Sequence, residues 1–80
     1  MTEELEKYNQ VFISVFNVEE SALSELIYKE TAEWNSMAHI ALVSTIEETF
    51  RVDFDMDDIY ALTSYDNGKQ LLKSKFGINL

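Results

Sequence analysis

Apolar residues recur at steps of three and four along most of this 80-residue chain, and no proline interrupts them. Such spacing places the apolar side chains on one face of an α-helix, which must be buried against another element. The first stripe predicts a helix of about 14 residues that begins after Thr2, a possible N-cap, with three glutamates in its first turn. Its apolar members are Leu5, Tyr8, Phe12, Val15 and Phe16.

A second stripe follows Asn35, a favourable N-cap residue, and predicts a helix from Ser36 to about Phe50. Residues 17–35 between the two stripes have irregular spacing and carry five glutamates. A connection of this length is unusual in a compact domain. We therefore expect a long loop pinned to the core by a few apolar anchors, with one short helical turn near Ser21–Ile27. The anchors are Val18, Leu23, Leu26 and Ile27.

The last third of the chain predicts one short and one longer helix. Val52–Asp55 alternates like a strand but is too short to build a sheet, so we expect an extended connector. Asp55 can cap a short helix over Met56–Leu62, and Ser64 can cap a final helix over Tyr65–Phe76.

Together these elements predict an all-α fold in a single domain over residues 1–80: a small four-helix bundle of three longer helices and a short third one, with a long first loop. Gly77 suits the position after the last helix, whereas Gly68 within that helix costs about 1 kcal/mol relative to alanine. The residues predicted to be buried are Phe12, Phe16, Ile40, Val43, Ile46, Phe50, Ile59 and Leu71.

The charge is strongly negative: six basic against 15 acidic residues give a formal net charge of −9. Such a surface repels nucleic acid and anionic membranes and attracts proteins with basic patches. The chain has no cysteine and one histidine, so zinc-cysteine and paired-histidine metal sites are excluded. With no apolar run of membrane-spanning length, we expect a cytoplasmic protein, and mutual repulsion favours a monomer.

Two patterns resemble a metal-binding or a catalytic site, but each lacks residues that such a site requires. The acidic run from Asp53 opens like a calcium loop, but Asp58 and Ser64 stand where the loop needs glycine and glutamate. Ser36 and His39 share a helix face, but no orienting group or oxyanion hole accompanies them. We expect a solvated loop, no metal and no enzyme, with His39 exposed or half-buried and Trp34 anchoring the loop to the core.

Ser36 alone has two interpretations. Serine is common at helix starts, so simple capping is the ordinary one. However, a helix N-terminus also collects free N–H groups and the positive end of the dipole, so a phosphodiester on this serine would be favoured electrostatically.

The sequence at this point resembles an acyl carrier protein, over nearly the whole chain from about Leu5 to Phe76. The family folds as a four-helix bundle whose second helix begins at a modified serine in an Asp-Ser-Leu motif. The matching stretches are Trp34–Val43, Ile46–Phe54 and Asp57–Ser64. The resemblance implies that a phosphopantetheinyl transferase attaches 4′-phosphopantetheine from coenzyme A to Ser36. The thiol of that arm would carry acyl groups as thioesters to successive partner enzymes.

The resemblance also implies that the second helix docks on those enzymes, through Met37 after the serine and the acidic pair Glu47 and Glu48. Asn35 replaces the family's aspartate and removes a charge that usually helps to engage the transferase. Further departures at Ala32-Glu33, Ala38 and Ala41 favour a carrier dedicated to a specialised product, such as a secondary metabolite, modified sugar or lipid. The alternative is an unmodified acidic interaction module with the same fold.

Overall fold

The computed structural model describes residues 3–80, so the predicted cap at Thr2 lies outside the described residues. The described chain is mostly helical and contains no β-strand beyond one isolated bridge between Ile27 and Ser64. The predicted all-α class is confirmed. The elements are α1 (Glu3–Phe16), a 3₁₀ helix (Glu20–Glu25), α2 (Ser36–Phe50), α3 (Met56–Ala61) and α4 (Tyr65–Phe76).

Side-chain caps fix the starts of the last three helices where the sequence predicted them. Asn35, Asp55 and Ser64 each accept a hydrogen bond from the backbone N–H three residues further on. The Asp58 carboxylate in turn accepts a hydrogen bond from the Asp55 N–H, which completes a capping box. Gly77 ends α4 with a φ of 67°, a left-handed conformation that suits glycine. The predicted short turn is the 3₁₀ helix, shifted by one or two residues.

Aromatic rings fill the core between α1, the long loop and α4. Phe12 lies at the centre, with ring centroids 4.8 Å from Tyr8, 5.3 Å from Tyr65 and 5.8 Å from Trp34. Trp34 is completely buried, so its predicted role as the loop's anchor is confirmed. Four of the predicted core residues are buried: Phe12, Phe16, Val43 and Ile46. Three are half-buried: Phe50, Ile59 and Leu71.

The prediction that Ile40 is buried is wrong, because its side chain is 60% exposed. The buried stripe of α2 consists of His39, Leu42, Val43 and Ile46. These residues follow the helical spacing of three, four and seven from His39. Ile40 lies one residue, about 100° of helix rotation, beyond the stripe.

Glycine at position 68 of α4 leaves room for a tyrosine to pack directly against the helix backbone. The Tyr8 hydroxyl donates a 2.6 Å hydrogen bond to the backbone oxygen of Tyr65, which lies about one helical turn before Gly68. An added Cβ at Gly68 would overlap that hydroxyl and approach Leu62 Cδ1 to 2.8 Å. Burial also raises the pKa of Tyr8 above its usual value, so this hydroxyl stays protonated as a donor.

We expect Gly68→Ala to destabilise the protein by about 1–3 kcal/mol, despite the better helix propensity of alanine, because the core would be overpacked. Tyr8→Phe removes the overlapping hydroxyl, so the same alanine substitution should cost less in that background. Urea unfolding of the two single variants and the double variant measures this coupling. Gln70→Ala, on the exposed part of α4, is the control and should change stability by less than about 0.5 kcal/mol. Equal costs of Gly68→Ala in both backgrounds would contradict the packing account.

A lysine joins the end of α4 to the start of α3. Lys75 Nζ lies 2.8 Å from Asp55 Oδ2 and 2.6 Å from Asp58 Oδ2. Its hydrogen bonds raise the pKa of Lys75 and lower the pKa of Asp55. The acidic run from Asp53 therefore contains the cap of α3 and the two carboxylates that bind Lys75 of α4. The residues from 3 to 80 contain no cluster of three or more potential ligands that could hold a metal.

The depressed pKa of Asp55 means that its contribution to stability is full above about 3.9, the value for an unfolded aspartate, and is lost as pH falls through the folded pKa. The raised pKa of Lys75 gives a contribution that is full below about 10.4 and lost as pH rises further. We therefore expect the unfolding midpoints of wild type and Lys75→Gln to differ most between about pH 4 and pH 10. Lys73→Gln makes the same charge change in the same exposed turn, and its difference in unfolding midpoint from wild type should not follow this pH dependence. A Lys75→Gln difference that does not vary with pH would show that the ion pairs do not cause it.

Candidate functional site

Ser36 is the first residue of α2, and it is exposed. The predicted role of Asn35 as N-cap is confirmed, since its Oδ1 accepts a 2.9 Å hydrogen bond from the N–H of Ala38. The cap engages this one N–H group, and the positive end of the helix dipole remains beside Ser36. The local structure thus presents a hydroxyl to solvent at a position that favours negative charge.

The aromatic ring of Tyr28 connects this serine to the core. The hydroxyl oxygens of Tyr28 and Ser36 lie 3.4 Å apart. The Tyr28 ring stacks on the imidazole of His39, with centroids 4.4 Å apart and an interplanar angle of 17°. Two backbone bonds hold the loop here: Tyr28 N–H donates to Thr63 O at 2.9 Å, and Tyr65 N–H donates to Leu26 O at 3.1 Å.

His39 is 5% exposed, so the expectation of an exposed or half-buried residue is wrong. Its Nδ1 accepts a 2.9 Å hydrogen bond from Trp34 Nε1, and its Nε2 lies 2.8 Å from Ile59 O. Because an indole N–H can only donate, Nδ1 must be unprotonated, and Nε2–H then donates to the carbonyl. Neither ring nitrogen is free to act as a base for Ser36. The signal that sequence reasoning missed is that His39 begins the buried stripe of α2.

We expect nuclear magnetic resonance of the imidazole nitrogens to show neutral His39 with its proton on Nε2. His39→Leu should cost about 1–3 kcal/mol, because it leaves the buried indole N–H of Trp34 without an acceptor. The same substitution in a Trp34→Phe background should cost less, since that background has no buried indole N–H. A proton on Nδ1, or additive costs in the double variant, would contradict this arrangement.

Two surface depressions meet at Ser36, and Lys29 lines both of them. One is formed by the loop and the Asn35 cap, and the other lies between the start of α2 and α3. Among the described residues 3–80, no aspartate or glutamate lines either depression, although the chain carries 15 acidic residues. The described lining of the two depressions at Ser36 therefore contains one lysine and no carboxylate, whereas most of the surface is acidic.

An exposed apolar patch lies next to the second depression. It consists of Met37 and Ile40 on α2 and Met56 and Tyr60 on α3, which are 83%, 60%, 64% and 71% exposed. Three of these residues, Ile40, Met56 and Tyr60, line that depression. Of the four, only Met37 was among the predicted docking residues. A group of large apolar side chains left open to water is typical of a surface that binds another molecule.

The acidic docking residues predicted from the sequence lie at the other end of α2. Glu47 and Glu48 follow Ser36 by 11 and 12 residues, about 17 Å along a helix. Glu47 Oε2 accepts a 2.8 Å hydrogen bond from the N–H of Phe54, so this carboxylate also fixes the connector after α2. Glu48 is exposed. The structure brings Asn35, Ser36 and Met37 together and places the acidic pair apart from them.

In the described part of the chain, residues 3–80, we find no helix with the length and apolar character required to cross a membrane. Comparison of the chain with protein families, with curated proteins and with solved structures gives no significant match.

Proposed function

We propose that this protein is an acyl carrier, folded as a four-helix bundle, whose Ser36 bears a covalent 4′-phosphopantetheine arm. When bound, the arm supplies a terminal thiol that holds acyl groups as thioesters. The main support is one observation: the exposed Ser36 hydroxyl begins a helix between two depressions that no described acidic residue lines, in a chain of net charge −9.

The exposure of Ser36 and the charge of the residues lining the two depressions support a phosphate at this position. Ser36 is exposed, and the cationic residue Lys29 lines both depressions beside it. In the transfer reaction, Ser36 Oγ forms a bond to the phosphorus of coenzyme A that bears the pantetheine. The bond from this phosphorus to the bridging oxygen breaks, 3′,5′-ADP leaves, and the serine proton passes to a base of the phosphopantetheinyl transferase.

The chain itself performs no chemistry in this proposal and acts by presenting its cargo. Partner enzymes with basic docking patches meet Glu48 and the other exposed acids, while their apolar side chains meet Met37 and the rest of the apolar patch. Charge complementarity speeds such encounters and makes them sensitive to salt, which suits transient transfer. The carrier would work as a cytoplasmic monomer, with acyl-transferring or acyl-modifying enzymes as its partners.

The second candidate is an unmodified acidic interaction module of the same fold. Two observations favour it. The apolar patch is exposed without any modification of Ser36, and Asn35 lacks the negative charge that the resemblance places before the serine. In this alternative the Ser36 hydroxyl remains free and its role is to begin α2.

We expect the purified protein to gain the mass of one phosphopantetheinyl group when it is incubated with coenzyme A and a broad-specificity phosphopantetheinyl transferase. Ser36→Ala should gain nothing. Ser44→Ala, which removes another exposed serine of α2, should be modified like the wild type. Intact-mass spectrometry distinguishes these outcomes.

If the wild type stays unmodified, the same measurement on Asn35→Asp decides between the two candidates. Modification of this variant alone would indicate a carrier that needs its own transferase. A variant that remains folded and unmodified would favour the interaction module. Modification of Ser36→Ala would contradict the proposed attachment site.

A further inference from the structure

We propose that Tyr28 and Lys29 of the loop hold the phosphate group on Ser36, with the Tyr28 hydroxyl and the Lys29 ammonium as its donors. This inference rests on the proposed function and adds to it the two residues that would position the arm. The juxtaposition that carries it is the Tyr28 hydroxyl, 3.4 Å from Ser36 Oγ, and the neighbouring Lys29, which lines both depressions at that serine.

The position of Tyr28 is fixed by contacts on its ring and its backbone. The ring stacks on the imidazole of His39, and the Nζ of Lys29 lies 5.6 Å from the ring centroid. The N–H of Tyr28 is bonded to Thr63 O in the segment before α4. The hydroxyl is therefore held close to Ser36 before any group is attached, and a preorganised donor loses little entropy on forming its bond.

The backbone of Lys29 is equally well defined. Its N–H donates a 3.1 Å hydrogen bond to Trp34 O, and Trp34 N–H donates a 3.0 Å bond to Thr31 O. Its φ of 69° lies in the left-handed region, where glycine or asparagine is more usual than lysine. The loop thus fixes the backbone of Lys29 at a position from which the residue lines both depressions at Ser36. Its neighbours Glu30 and Glu33 are exposed acids that line neither depression.

The chemistry of the two side chains matches a phosphodiester. Such a group carries one negative charge on two free oxygens, which accept hydrogen bonds from hydroxyl and ammonium donors. Lys29 is the one fully charged residue among the described residues that line the two depressions. A phosphate bonded to Ser36 therefore meets an electrostatically favourable pair in an otherwise strongly acidic protein.

The test compares unmodified and modified forms of wild type, Tyr28→Phe, Lys29→Asn and Lys73→Gln. Asparagine tolerates the left-handed backbone at position 29, so this variant removes the charge with little added strain. Lys73→Gln makes the same charge change on the exposed face of α4. Tyr28→Phe keeps the ring that stacks on His39 and removes only the hydroxyl.

Intact mass first confirms modification, and thermal unfolding and the phosphorus resonance are then measured for each form. We expect modification to raise the unfolding midpoint of wild type and Lys73→Gln by about 4–8 °C, the scale of one charge-assisted contact in a small domain. Lys29→Asn should lose most of this rise, and Tyr28→Phe should shift the phosphorus resonance. The unmodified forms of all four proteins show whether each variant is folded.

Two results would overturn the inference, and they are distinguishable. If all four proteins are modified but Lys29→Asn and Lys73→Gln gain the same stability, and the phosphorus resonance of Tyr28→Phe equals that of wild type, the pair does not hold the phosphate. The proposed function then still stands. If none of the proteins is modified at Ser36, even with Asn35→Asp added, the proposed function fails and the inference fails with it.

Discussion

The imidazole of His39 is the contact on which the geometry around Ser36 depends. It accepts a hydrogen bond from the completely buried Trp34, donates one to the carbonyl of Ile59 and stacks on Tyr28. One neutral ring thereby joins the loop, α2 and α3. Because α3 has six residues and cannot be stable alone, its position relative to α2 depends on such tertiary bonds. Lys75 provides the second connection, from α4 to the start of α3.

The distribution of charge separates two roles on one small surface. Most acids lie on exposed positions of the loop and the helix surfaces, where they remain hydrated and can attract a basic partner. The immediate surroundings of Ser36 instead hold neutral polar groups, Lys29 and the apolar patch. Negative charge at Ser36 would meet no carboxylate in the described lining of the two depressions, and Lys29 would attract it.

Local features of the sequence were sufficient to predict the helices, because caps and apolar spacing act within a few residues. Asn35, Asp55, Ser64 and Gly77 stand at the predicted boundaries. Residues whose environment depends on distant parts of the chain were not predictable in this way. Tyr8 and Gly68 are 60 positions apart, and nothing near Gly68 in the sequence indicates the hydroxyl that packs against it.

In the candidate site, too, local features could be predicted from the sequence and features that depend on tertiary packing could not. Ser36 and its cap could be identified from the sequence, since a helix start is a local feature. The roles of Tyr28, His39 and Ile40 could not, because they depend on how the loop, α2 and α3 pack together. That packing also explains why the site has a rigid and an open part. The Tyr28 hydroxyl beside Ser36 belongs to a ring that stacks on the buried His39, whereas the side chains of the apolar patch are exposed to solvent. The proposed carrier would need both, because its arm would have to start from a fixed position while the surface around it stayed free to contact successive partners.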